Sequence, residues 1–260
     1  MSNATGATEA PRAPGAAGWR PAELAEIRTE TPSAKTLLLD AGDWPGHRAG
    51  QHVDVRLTAE DGYQAQRSYS IASAPEERMV ALTVVRFADG EVSPYLVDEM
   101  RPGDELELRG PIGGWFVWDT HDGGPLLLVA GGSGLVPLMA MLRHRHAVAS
   151  HVPARLLVSA RSADDVLYSG ELAELAEADD GFELLATLTR EAPPGWTGFN
   201  RRIDREMLAE VAWDPDELAR TYVCGPTAFV EAAAEGLVGL GHDPALVKTE
   251  RFGPTGGSET

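Results

Sequence analysis

Cysteine is almost absent, with Cys224 standing alone among 260 residues. A single thiol forms no disulfide within the chain and builds neither an iron–sulfur cluster nor a thiolate zinc site. Long apolar runs are missing too. No stretch approaches the ~18 residues of a membrane span, and the opening MSNATGATEAPRAPGAAGW lacks the continuous apolar segment of a signal peptide. Residues 1–18 are therefore expected to be a disordered tail, and the location cytoplasmic. Basic residues are scarce: 22 Lys and Arg stand against 40 Asp and Glu, a formal charge of −18. Such a surface repels phosphodiester backbones and anionic lipid, which argues against general nucleic-acid or membrane binding. No repeat of solenoid period is present.

What is present divides into two halves. The first is written in short β-rich runs: TLLLD (36–40), HVDVRL (52–57), RSYSIAS (67–73), MVALTVVRF (79–87) and DELELRGP (104–111). Gly, Pro and Asp punctuate them, a pattern that predicts a small antiparallel barrel. One helix is expected over Ser93–Glu99, with Ser93 as N-cap and Pro94 at the first helical position. Beyond WDTHDGGP (118–125), apolar runs such as PLLLVA, ARLLVSA and TYVCG alternate with helical patterns. That alternation predicts a parallel sheet covered on both faces. The boundary is placed near 119–124, giving an antiparallel β-barrel over 19–120 and an α/β parallel-sheet nucleotide-binding domain over 121–260.

LLLVAGGSGLVPLMAML (126–142) reads as strand, glycine turn and helix. Gly131, Gly132 and Gly134 remove side chains where a phosphate would approach the backbone, and the helix start favours an anion. A plain strand–helix turn needing positive φ is the alternative. The usual dinucleotide fingerprint is broken, because Pro137 stands where a third glycine belongs. The ribose-binding acid expected at the end of the next strand is missing as well. Ser159 and Arg161 occupy that strand end, and Thr189 and Arg190 the end of the following one. Two arginines at successive strand ends suit a 2′-phosphate, so NADPH is favoured over NADH, although Asp164 and Asp165 nearby cut the other way.

In order along the chain stand RSYSIAS, GEVSPYL, GPIGGWF, GGSGLVP, YVCGPTAF and ERFGPTGG. Together, over roughly residues 19–256, they resemble the ferredoxin–NADP reductase superfamily of flavoprotein reductases. The resemblance implies a flavin-binding barrel followed by a nicotinamide-binding domain. It puts Arg67 on the flavin pyrophosphate, Tyr69 along the isoalloxazine or ribityl chain, and Ser70 near flavin N5, with Ser68 on the same strand. Gly90, Val92 and Ser93 would border the second phosphate region, and Arg86 would add charge there. The strand motif is compatible with FAD or FMN. Members with GxVS mostly take FAD, which is the expectation here. Gly113 and Gly114 would leave room at the nicotinamide entrance, and Cys224, Gly225 and Pro226 would lie against the nicotinamide, with Thr227 as a helix cap. Ser70, Cys224 and Glu250 are the candidate catalytic residues; Glu250 would handle protons and Phe252 would shield the flavin. Eight residues follow Phe252, a departure from plant-type members, where the chain ends near this point.

The resulting expectation is a monomeric FAD-dependent NAD(P)H oxidoreductase. Electrons would pass to a separate carrier, a ferredoxin or an oxygenase component. Two alternatives stand beside it: a reductase of small acceptors (quinone, ferric complexes, free flavin) and a non-catalytic flavin- or nucleotide-binding module. The basic clusters RHRH (143–146) and RR (201–202) offer no clear carrier site, the first being expected on an exposed helix end.

Overall fold

A computed structural model describes residues 18–179 and 181–252; apart from Gly18, the expected tail lies outside the described residues. Six strands form the first half: β1 (Arg20–Thr31), β2 (Ala34–Asp40), β3 (His52–Thr58), β4 (Gln64–Ser70), β5 (Val80–Val85) and β6 (Glu105–Ile112). They pair antiparallel in the order β4-β3-β6-β1-β2-β5. The sheet closes where the chain leaves β4. Ile71 bridges Leu82, and the Ala72 N–H donates to the Ala81 carbonyl at 2.8 Å. Ser73 completes the closure: its buried hydroxyl accepts the Ala81 N–H at 3.0 Å. Leu24, Leu37, Leu39, Val53, Val55, Leu82 and Leu108 fill the barrel.

Strand β1 was not among the expected runs. It carries five charged side chains and Pro21, and its register shifts between Leu24 and Glu26. A bulge moves the inward positions by one, so the period of two breaks partway along. The short helix α1 (Val92–Pro94) runs on as a π-helical turn, Tyr95–Glu99. Helix α1 contacts β4 and the π turn contacts β5. The expected cap is corrected here. Glu91 holds the N-cap position, and the Ser93 hydroxyl instead accepts the Phe87 N–H at 3.1 Å from inside the helix.

The second half is a parallel sheet of β7 (Leu126–Gly131), β8 (Ala154–Ala160), β9 (Phe182–Leu188), β10 (Arg220–Pro226) and β11 (Val247–Phe252), ordered β11-β10-β7-β8-β9. Helices α2 (Leu135–Ala147), α3 (Ser169–Ala178), α4 (Arg205–Val211) and α5 (Thr227–Gly239) cover it. Alternate residues separate the faces. Leu127, Val129 and Val223 pack on α4 and α5. Leu126, Leu128, Ala130, Tyr222 and Cys224 share a cluster with α2 and with barrel residues Ala72, Ala81, Phe116 and Trp118. Among the described residues, no helix is long and apolar enough to cross a membrane.

Helix α2 lies between sheet and barrel, and ten of its 13 residues are buried. This overturns the expected exposure of RHRH: His144 and Arg145 are buried, and the Arg143 side chain is only 15% exposed. Of the four only His146 is exposed; the other three look solvated only when the second layer over the helix is ignored. Thr227 is not a cap either. It is the first residue of α5, which follows Pro226 without a side-chain cap.

Candidate functional site

The strand order reverses between β7 and β10, and open α/β sheets bind ligands in the crevice beyond the strand ends at such a point. There β7 ends at Gly131, Gly132–Gly134 makes one tight turn, and α2 begins at Leu135. A Cβ on Gly134 would sit 2.0 Å from the Cys224 carbonyl oxygen. That glycine is required because the turn lies directly on the end of β10. Gly132 has φ +55° with open space where a side chain would stand, so its backbone is accessible to a ligand. Pro137 lies in the first turn of α2, where its missing N–H removes no intrahelical bond.

Strands β10 and β11 carry the next layer. Cys224 pairs in register with Glu250, and Pro226 with Phe252. The Cys224 thiol is fully buried. Burial, and then the neighbouring Glu250 carboxylate, push it well above the ordinary thiol range. It therefore stays protonated and serves as a small apolar wall rather than a nucleophile. Glu250 is the unusual group. Its Oε2 is buried without a hydrogen-bond partner, and burial pushes its carboxyl up to about 7. Phe252 packs half-buried against the cluster that contains Cys224 and Ala72.

At the ends of β8 and β9, the Arg190 N–H donates to the Arg161 carbonyl at 2.9 Å. The two arginines thus sit side by side and exposed. Half-buried Ser159 pairs in register with Thr187. The Thr189 hydroxyl donates to the Ala160 carbonyl at 3.1 Å and so holds the loop. Asp165 accepts the Ser162 hydroxyl at 2.8 Å and its N–H at 3.2 Å, which commits that carboxylate to capping.

On the barrel side, alternation along β4 separates two pairs. Tyr69 is half-buried against the barrel core, and its burial pushes the phenol up to about 12. Arg67 shares that face; its Nη1 donates to the Gln66 carbonyl at 2.6 Å and its Nη2 lies 3.5 Å from Glu91. Ser68 donates to Asp54 at 2.6 Å on the other face, where Ser70 is buried opposite His52. The Val92 side chain belongs to the barrel core. A Cβ on Gly90 would stand 3.0 Å from the Ser93 hydroxyl. Arg86, next to Phe87 in the chain, donates from Nε to Asp98 at 2.6 Å in an exposed pair.

Two neighbours of the site were not anticipated. Phe229 walls both glycine positions, since Cβ atoms on Gly131 and Gly225 would meet its ring at 2.8 and 3.0 Å. Its signal was an aromatic two residues into the helix that follows Gly225-Pro226. Glu91 pairs with Arg67 and accepts the Tyr63 hydroxyl at 3.2 Å. A carboxylate beside the expected phosphate ligand gave no signal in a chain this acidic.

The donor set fits a flavin with a nicotinamide dinucleotide. A guanidinium and hydroxyls lie along β4, an open glycine turn caps the sheet, and an orphaned buried carboxyl faces the seam. Residues 26–117 match the model of an oxidoreductase FAD-binding domain, and residues 128–235 that of an oxidoreductase NAD-binding domain. The glycine betaine monooxygenase reductase subunit of Pseudomonas aeruginosa is 34% identical over 211 residues, 80% of this chain and 57% of that protein. The aromatic O-demethylase reductase subunit of an Amycolatopsis strain is 30% identical over 240 residues, 89% of this chain and 68% of its own length. The FAD/NAD-binding domain of the Vibrio cholerae nitric oxide dioxygenase superposes with a TM-score of 0.81 at 25% identity, covering 90% of this chain and 99% of that one. This chain spans little more than half of the first of these relatives. It belongs to the ferredoxin–NADP reductase superfamily of FAD- and NAD-binding oxidoreductases.

Proposed function

We propose that the protein is an NADPH-preferring flavoprotein reductase that hands electrons singly to a separate carrier or oxygenase component. The carrying observation is the apolar cluster in which Cys224 of β10 and the barrel's Ala72 meet, with Phe252 of β11 packed against it. Ala72 lies two residues beyond Ser70 on the flavin strand. The relatives named reductase subunits of a monooxygenase and of an O-demethylase support a protein acceptor.

Bound flavin supplies the conversion of a two-electron hydride into single electrons. The chain supplies geometry and charge. Arg67 and the backbone around Gly90–Ser93 hold the flavin phosphates, with Ser68 beside them on β4. The Gly132 backbone and Pro226 place the coenzyme, and Arg161 and Arg190 hold its 2′-phosphate. Ser159 and Thr189 shape that pocket through the strand ends. Buried Cys224 and half-buried Phe252 exclude water. Glu250 Oε2, poised near neutrality and free of partners, holds or releases a proton beside Ser70.

Anaerobic stopped-flow tests the reading. The purified protein is expected to be yellow, to bleach faster with NADPH than with NADH, and to reoxidise faster with an iron–sulfur protein than with quinone or ferric complexes. Colourless protein that takes up no flavin would sink the reading. Faster reoxidation by the small acceptors would assign the acceptor differently.

A further inference from the structure

Beyond the apolar cluster they share, hydrogen bonds join the two halves along two lines. One is short: the Tyr222 hydroxyl and the Lys248 ammonium both donate to the Val117 carbonyl, at 2.7 and 3.1 Å. The other is a polar seam at the far end of α2. There Arg143 donates from Nη1 to the Ala72 carbonyl at 2.8 Å. Its Nε and Nη2 grip the Glu171 carboxylate at 2.8 and 2.5 Å, and its guanidinium lies 5.0 Å from the Tyr168 ring. His144 lies 2.8 Å from Glu76 on the same barrel loop.

Tyr168 leads a buried chain of hydroxyls. It donates to Thr83, Thr83 and Thr36 lie 2.7 Å apart, and Thr36 donates to Glu30 at 2.6 Å. Each hydroxyl has one proton. Because the Thr36 proton goes to Glu30, Thr83 must donate to Thr36, and the Tyr168 proton is what satisfies Thr83. The order Tyr168→Thr83→Thr36→Glu30 is thus fixed by counting protons. Tyr168 sits at φ +54° just before α3, a left-handed conformation that a bulky residue adopts only where its surroundings impose it. Beside Arg143 and Tyr168 lies a cavity of about 610 Å³, bordered also by Arg28, Leu38, Ala74 and Leu175. On that side Tyr168 also shares an apolar cluster with Ala34, Ala72 and Ala81 of the barrel, and the hydrogen bonds add direction to that packing.

We propose that Arg143 and Tyr168 are positioning residues for hydride transfer, setting the angle at which the nucleotide helix meets the flavin strand. Ala72 continues the strand that carries Arg67, Tyr69 and Ser70. Arg143 stands on the 13-residue helix that opens at the glycine turn, a rod of about 20 Å. Slack at the Arg143 end therefore swings the turn at the other end. A misplacement of about 1 Å can cost on the order of a hundredfold in rate. The inference rests on the hydride-transferring function proposed above.

The test uses the full chain with Tyr168→Phe, which deletes one oxygen, and with Arg143→Met and Arg143→Lys. In the FAD-loaded protein, Tyr168→Phe should lower the hydride-transfer constant about tenfold. The coenzyme dissociation constant should stay within about twofold of the unaltered protein, and the coenzyme–flavin charge-transfer absorbance should weaken. Arg143→Lys, keeping one donor for Ala72, should retain more of the rate than Arg143→Met. In the flavin-free protein, amide exchange at Ala72 and Ala81 should accelerate in Tyr168→Phe. Hydride transfer within about twofold of the unaltered protein in Tyr168→Phe, with FAD retained, would overturn the inference even if Arg143→Met fails to fold. Should neither coenzyme reduce the unaltered protein, the functional reading falls, and the flavin-free exchange still reports whether the seam holds the halves together.

Discussion

Glu250→Gln removes the one buried carboxyl at the seam that has no hydrogen-bond partner on Oε2. In the folded chain this carboxyl titrates at about 7 against an ordinary 4.5. Below pH 4.5 it is neutral in both folded and unfolded chains and contributes nothing to pH dependence. As pH rises from 4.5 to 7, the unfolded chain releases the proton while the folded chain keeps it. Stability therefore falls with rising pH across that window and levels off above 7. At 1.36 kcal/mol for each pH unit, the loss totals about 3 kcal/mol. Glutamine has the same shape and no proton to lose, so Glu250→Gln should become more stable than the native chain by about that amount as pH passes from roughly 4 to 8. Urea unfolding of flavin-free protein across this range measures the difference. Infrared spectra near pH 6 should show the C=O stretch of a protonated carboxylic acid that Glu250→Gln lacks. A stability difference that stays flat with pH, together with no such band, would refute the assignment and with it the proton-holding role.

Arg67→Ala should weaken FAD binding by about tenfold or more, because a charge-assisted bond contributes about 1.5–3 kcal/mol; equilibrium dialysis of flavin reads it. Glu91→Gln, which frees Arg67 from an exposed pair, should tighten FAD up to about fivefold, in line with the value of roughly 0–1 kcal/mol for such pairs. Weaker binding in Glu91→Gln would mean that Glu91 supports the flavin instead. Converting both Arg161 and Arg190 to alanine should raise the apparent Michaelis constant for NADPH at least about tenfold and spare that for NADH. An unaltered enzyme that prefers NADH by tenfold would remove the 2′-phosphate role. Gly134→Ala pushes a methyl into the Cys224 carbonyl at 2.0 Å. It should cost about 1–3 kcal/mol and abolish coenzyme binding, measured by thermal shift with and without NADPH.

The parallel sheet was legible because its central strands, largely buried on both faces, are continuous apolar runs: ARLLVSA becomes β8 with its bounds unchanged. The glycine turn and the Cys224–Pro226 bend were legible because those backbones admit few residue types. β1 was hidden by its bulge and its charged outer face. Arg143, His144 and Arg145 misread as solvent-facing because local sequence sees one layer, whereas α2 is enclosed by two. Tyr168 gave no signal: a left-handed tyrosine is chosen by its partners Thr83 and Arg143, which lie 85 and 25 positions away in the chain.

Residues 67–73 show how one strand serves two purposes. Up to Ser70 it is a free edge of the barrel, and its alternate side chains are available to a ligand. From Ile71 onward the same backbone pairs with β5, and its polar groups are consumed in closure: Ala72 N–H to Ala81, Ser73 Oγ from Ala81, Ala72 carbonyl from Arg143. A free edge can move unless something fixes its end, and a flavin-binding edge that moved would lose its angle to the nicotinamide. The closure at Ala72–Ser73 fixes that end within the barrel, and Arg143 fixes Ala72 to the nucleotide helix. Loss of hydride transfer after a change at residue 72 or 73 is therefore no sign of contact with flavin. It is the expected consequence of freeing the strand on which Arg67, Tyr69 and Ser70 are carried.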